Sequence, residues 1–156
     1  MTAIDVASYV IHSIFAGLWT GSILFMTLGV VPLALNGNLD AGPLSTITGR
    51  FKILSRTSVL LLFLTGGHMA GTQYTTETLT GSTNGYLVVS MLTLWFVTAG
   101  VTEVGASRLA DGSGRDKVRE PAREARRFFQ LGSVFAVLLL VVAGLLSAAG
   151  SGLLLL

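Results

Sequence analysis

Cysteine is absent from this chain, which removes disulfides, thiolate metal sites and iron–sulfur clusters from consideration. Proline is held to three residues and charge to 12% of the sequence, while 51% is hydrophobic and the mean hydropathy reaches +0.73. Soluble domains carry about 25% charged residues, so a composition this poor in charge points to an integral membrane protein. Basic residues are missing altogether from the N-terminus, from the connection Gln73–Gly85 and from the C-terminus. Histidine occurs only as His12 and His68, so any imidazole chemistry rests on that pair.

What the chain has in quantity is apolar sequence. Four runs, Val6–Leu35, Ser58–Tyr74, Tyr86–Ser107 and Phe128–Gly150, approach or exceed the length needed. A helix must offer about 20 apolar residues to cross a hydrocarbon core of about 30 Å. The second run reaches that length with Ile53–Thr57, where Arg56 can extend to the interface along its aliphatic stem. Continuous stretches specify helices, because barrel strands alternate. The expected fold is therefore all-α: a four-transmembrane-helix bundle in a single membrane domain, residues 1–156, with helices at about 6–35, 53–74, 86–107 and 128–150. Met1–Asp5 carries no Lys or Arg and the first run outlasts a signal-peptide core, so that run is expected to remain as a helix, kinked or ended near Pro32.

Charge placement gives an orientation. Arg50, Lys52 and Arg56 border the first connection, and the remaining basic residues lie between Arg108 and Arg127. Basic connections stay cytoplasmic, which places both termini outside the cell membrane. The pI near 9.4 then reflects topology and contact with anionic lipid, and gives no reason to invoke nucleic acid. Within the basic loop 108–127, Asp111-Gly-Ser-Gly114 predicts a break. Asp116/Arg119, Glu120/Arg123 and Glu124/Arg127, spaced three apart, predict a short solvated helix limited by Pro121. Thr75–Asn84 reads as an exposed loop, and Glu103 as the carboxylate of an interfacial ion pair with Arg50, Arg56 or Arg108. A weak two-hairpin repeat is visible too: Arg50-Phe51 and Arg127-Phe128 each open an apolar run that ends in glycine.

The histidines lie at similar depth. His12 follows Asp5 by seven residues and His68 precedes Tyr74 by six, so each sits roughly 10 Å inside its helix end. Ionisable groups at such depth face a bundle interior or a cavity. Gly17, Gly21, Gly66, Gly67 and Gly71 leave room beside them, and Phe15, Trp19, Phe63 and Tyr74 can wall a flat ligand. Two opposed imidazoles can supply both axial ligands of a haem b iron, with Gly17, Trp19, Gly67 and Gly71 around the macrocycle. That occupant would make the chain an electron carrier, with quinone or an outer-face redox protein as partner. Copper is the alternative: Met91 lies level with both histidines, and Met69 follows His68, although a helix turns it about 100° away. A plainer account has Ser8, Thr65 and Thr72 hydrogen-bonding the rings in a structural subunit.

The order His12-x6-Trp19-x-Gly21-x3-Phe25, Arg50-Phe51, Leu64-Thr65-Gly66 and Asn84-Gly85-Tyr86-Leu87, extending through Arg127–Ala148, resembles the CopD (copper resistance protein D) family. The resemblance implies copper uptake across the cytoplasmic membrane, with His12 and His68 as metal candidates and a homo-oligomer or larger complex around a chain of only four spans. The family's basic residue in the third helix is missing, with Ser90 and Met91 in its stretch. The first helix is also similar to HemJ-type four-helix haem proteins, which are protoporphyrinogen oxidases, but Ser22-Ile23-Leu24 stands where those carry Pro-Arg-Leu. A redox carrier or transporter is accordingly expected before a stand-alone enzyme.

Overall fold

The computed structural model describes residues 2–150; the two chain ends, whose exposure on the outer side was expected from charge, lie outside the described residues. All regular structure among the described residues is helical, and four helical stretches are long and apolar enough to span a membrane: Ala3–Asn36, Ala41–Gln73, Thr83–Ser113 and Arg119–Gly150.

The first span is interrupted. Helix α1 (Ala3–Phe25) starts in a reciprocal cap, Asp5 N–H donating to Thr2 Oγ1 at 3.2 Å and Thr2 N–H to Asp5 Oδ2 at 2.6 Å. It continues through a π-helical turn, Met26–Val30, into the short α2 (Val31–Asn36). Pro32 explains the widened turn, since it brings no N–H to the carbonyl four residues back and its ring crowds that carbonyl. The end of α2 is set by Gly37 at φ 76°: its N–H reaches Ala34 O, and Asn38 N–H reaches Leu33 O at 2.9 Å. A side chain resists that left-handed conformation, which glycine adopts freely.

Helices run on past the apolar stretches. Helix α3 (Ala41–Gln73) begins well before residue 53, because residues 41–52 bury Leu44, Thr48 and Phe51. An apolar run measures bilayer thickness, whereas helix length follows packing. The buried seam of α3 alternates steps of four and three through Leu44, Thr48, Phe51, Ser55, Ser58, Leu62 and Thr65, more than half of them hydroxyl-bearing. The connection read as a loop contains α4 (Thr76–Gly81), started by a Thr75–Thr78 capping box, and α4 lies so close to Gly85 that only hydrogen fits there.

Helix α5 (Thr83–Ser113) and helix α6 (Arg119–Gly150) absorb most of the expected basic loop. Between them lies a tight turn with Asp116 at φ 56°. Pro121 falls in the first turn of α6, where a missing N–H costs nothing, so it starts the helix and does not limit a separate one. The carboxylates choose other partners than the expected i,i+3 ones: Glu120 meets Lys117 at 2.8 Å and Glu124 meets Arg108 at 3.3 Å.

The four spans close a ring in which α1 packs on α3 and α6, and α5 packs on α3 and α6. The Thr27 hydroxyl joins the π turn to α6, 2.6 Å from Ser133 Oγ. Phe51 meets Phe129 edge-on at 5.5 Å. The sequence repeat aligns Phe51 with Phe128, yet Phe129 is the fully buried ring, and Phe128 lies under the Arg108 guanidinium.

Candidate functional site

The α1/α3 pair holds both histidines near the end of the bundle away from the basic residues. His68 Nε2 lies 3.0 Å from Asp5 Oδ1. A carboxylate only accepts, so the ring donates from Nε2, and in its neutral form keeps a lone pair on Nδ1. The helix cap described above already fixes Asp5 through its other oxygen, so the imidazole is oriented by a carboxylate that is itself held. A cavity of about 430 Å³ opens beside this pair, lined by Asp5, Tyr9, His68, Met69, Thr72 and Gln73. Met69 thus shares a cavity with His68 in spite of the helical turn between them.

His12 is engaged elsewhere. Its Nδ1 lies 2.9 Å from Thr65 Oγ1, and the Thr65 hydroxyl hydrogen is directed at the Leu61 carbonyl, 2.6 Å away. The hydroxyl therefore accepts from His12 Nδ1–H, and the Leu62 backbone is a further hydrogen-bonding partner of the same ring. The imidazole edge packs on Gly66, where an added Cβ would stand 3.0 Å from Cε1. The two contacts are seven residues apart on α1, Asp5 to His12, and three apart on α3, Thr65 to His68, about 10 Å and about 4.5 Å of helical rise.

These contacts revise the expected site. A bis-histidine centre, with the rings facing each other across an iron, is not evident, since each ring turns to its own side-chain partner. Of the residues assigned to surround a macrocycle, Trp19 is a core residue, 1% exposed, with Nε1 donating to Ser55 Oγ at 2.9 Å. Gly17, Gly67 and Gly71 are exposed and so do not line a cleft inside the bundle. Met91 packs against the core and is not among the residues lining the cavity. Among the described residues, no three of His, Cys, Asp or Glu gather as a metal-binding group, so a metal here needs thioether or neutral oxygen donors as well. The plainer account had named Thr65 as a hydrogen-bonding partner, and Thr65 does bond a histidine, though across the interface to His12. Asp5 is the site residue that the sequence does not announce. Its position three residues after Thr2 is a capping-box signal, which fixes the carboxylate but does not reveal that His68 lies across from it.

At the other end, Glu103 on α5 receives Arg56 from α3 through two bonds, Nη2–Oε1 at 2.6 Å and Nε–Oε2 at 3.3 Å. Lys52 stands 3.8 Å from the same carboxylate and 3.2 Å from Ser107 Oγ. The partners are Arg56 and Lys52, and neither Arg50 nor Arg108 joins them.

Searches of curated proteins and of solved structures return no match. A family model does match: Copper resistance protein D covers residues 45–147, about two thirds of the 156-residue chain. The matched segment contains His68, Met69 and Met91, begins after Asp5 and His12, and does not extend the likeness to HemJ-type proteins. With four membrane-spanning helices and this match, the chain is a multi-pass membrane protein that belongs to the CopD, copper resistance protein D, family.

Proposed function

We propose that this protein takes up copper at the cavity between α1 and α3 and passes it into the bundle. The observation that carries the reading is the Asp5–His68 hydrogen bond on the wall of that cavity. Histidines that bind metals commonly donate their second ring N–H to a carboxylate, which fixes the tautomer and makes the other nitrogen a better ligand. His68 Nδ1 is then the copper ligand and Asp5 the positioning residue. Imidazole together with the Met69 thioether suits Cu(I), with Tyr9 and Gln73 oxygens beside them in the cavity wall. His12, deeper along α1, is the next station for the ion. By the positive-inside rule the cavity opens on the outer face of the cytoplasmic membrane, and the path runs toward the basic end.

Haem b, electron transfer and a quinone partner lose their geometric support because each ring is turned to its own partner, so copper replaces haem as the preferred occupant. Copper retention by the detergent-purified chain tests the reading, with an absorption spectrum taken on the same sample. Wild type is expected to hold copper without a Soret band. His68→Ala should lose it, and Asp5→Asn should bind about 10- to 100-fold more weakly, the usual cost of removing such a carboxylate. His12→Ala should still capture copper but fail to move it into liposomes. Unchanged retention in His68→Ala, or a Soret band in the wild type that His12→Ala abolishes, would overturn the assignment.

A further inference from the structure

Helix α6 enters its apolar run through a stripe of uncompensated positive charge. Glu120 and Glu124, the carboxylates of its first turns, are taken by Lys117 and Arg108. Arg119 lays its guanidinium against Gly37 at the end of α2. Arg123, Arg126 and Arg127 are exposed, and no carboxylate stands within ion-pairing distance of them among the described residues. The described residues supply no countercharge to this face.

Beneath Arg127 lies a shallow groove of about 300 Å³ lined by Arg127, Gln130, Leu131 and Val134. These residues follow one another at i, i+3, i+4 and i+7, so they form one continuous face of the helix. The face continues into Leu138 and Val141, 42% and 52% exposed. From Arg127 to Leu138 the helix rises about 17 Å, close to half of a hydrocarbon core about 30 Å thick. Leucine and valine alone would describe any lipid-facing helix. Here they run down from an unpaired guanidinium and a side-chain amide, and that combination matches a molecule with an anionic head and an apolar tail. A guanidinium presents a fork of donors to phosphate oxygens, and the Gln130 amide can donate to an ester carbonyl just below.

We propose that this groove binds one anionic phospholipid, its phosphate on Arg127 and one acyl chain along Leu131, Val134 and Leu138. The site lies on α6, apart from the cavity between α1 and α3, and does not depend on the copper reading.

Native mass spectrometry of the full chain, extracted with an equal mixture of phosphatidylglycerol and phosphatidylcholine, tests it. Wild type is expected to retain a single phosphatidylglycerol in preference to phosphatidylcholine. Arg127→Gln should reduce that preference about fivefold, the factor for one basic residue near a charged membrane surface. Arg50→Gln, on α3, should leave it unchanged. Equal retention of the two lipids by the wild type, which needs no folded variant, overturns the proposal, as does an equal loss in Arg50→Gln and Arg127→Gln, which would mean diffuse attraction. A lipid-free dimer mass that Val134→Asn converts to monomer would assign the groove to a second copy of the chain, and would also overturn it.

Discussion

Trp19, Phe51, Leu109 and Phe129 close the basic half of the bundle, each no more than 5% exposed. In the histidine half, by contrast, no side chain of α1 before Trp19 is buried, none of α3 after Thr65 and none of α6 after Leu139. The two halves share helices and composition but divide the work. One is packed as a core and carries the cohesion of the fold. The other is held by a few interhelical polar contacts and retains open space, including the cavity beside His68. In a membrane this division is affordable, because helices are already formed within lipid and need tight packing along only part of their length to associate.

The largest effects should come from breaking the packed half. Phe129 is fully buried and meets Phe51, so Phe129→Ala should cost about 3 to 5 kcal/mol through lost contacts and a residual cavity. Thermal unfolding in detergent would register this as a large fall in midpoint, with copper retention at low temperature kept. A fall no greater than that of Phe15→Ala, on α1 in the open half, would mean that the halves are not built differently.

Glycine sharpens the comparison at four positions, two packed between α5 and α6 and two open on α3. A Cβ on Gly132 would stand 2.6 Å from Thr102 Cγ2, and one on Gly112 would run into Pro121. These glycines are the contact between α5 and α6. Gly67 and Gly71 face nothing within 4 Å. Gly132→Ala is expected to destabilise by about 1 to 3 kcal/mol through overpacking. Gly67→Ala should stabilise by about 0.5 to 1 kcal/mol, since it restricts the chain without meeting a neighbour. Melting both variants under one set of conditions checks the signs, and a destabilised Gly67→Ala would place a partner on that face.

The same contrast explains how much was legible in the sequence. Four spans, the all-helical class and the polarity of charge between the two ends follow from hydropathy and from the positions of ten basic residues, because lipid enforces those patterns strongly. Glycine spacing reads alike in both halves, and only the neighbouring helix decides whether Gly67 is a wall or a window. The two histidines were legible as residues of one helix pair, but ring direction was not, because it depends on the neighbouring helix and the side-chain rotamer. Asp5 and His12, seven residues apart, share nearly one face of α1, so the axial register of α3 against α1 and the His68 rotamer decide which of them that ring meets. Helix ends were lost for a related reason. Leu44, Thr48 and Phe51 are buried, yet they stand among Ser45, Thr46, Gly49, Arg50 and Lys52, a stretch too polar to count as an apolar run. Pro121 limits a helix when it falls in the interior, but its place in the first turn of α6 makes it a start.

Thr65→Val probes the open half with the smallest expected effect. The substitution keeps the shape and removes the acceptor for His12 Nδ1–H, breaking the interhelical hydrogen bond that links α1 to α3 beside Gly66. Hydrogen bonds between membrane helices average about 0.6 kcal/mol and reach about 1.7, well below the cost of an emptied core site. The unfolding midpoint should therefore move only slightly. Copper capture at His68 should persist, since Asp5 and not Thr65 orients that ring. Movement of copper into liposomes should slow, because the His12 ring is free to turn and its Nε2 is no longer held in one place. If Thr65→Val instead melts the protein as severely as Phe129→Ala, cohesion runs through the histidine end, and the division of labour between the two halves is wrong.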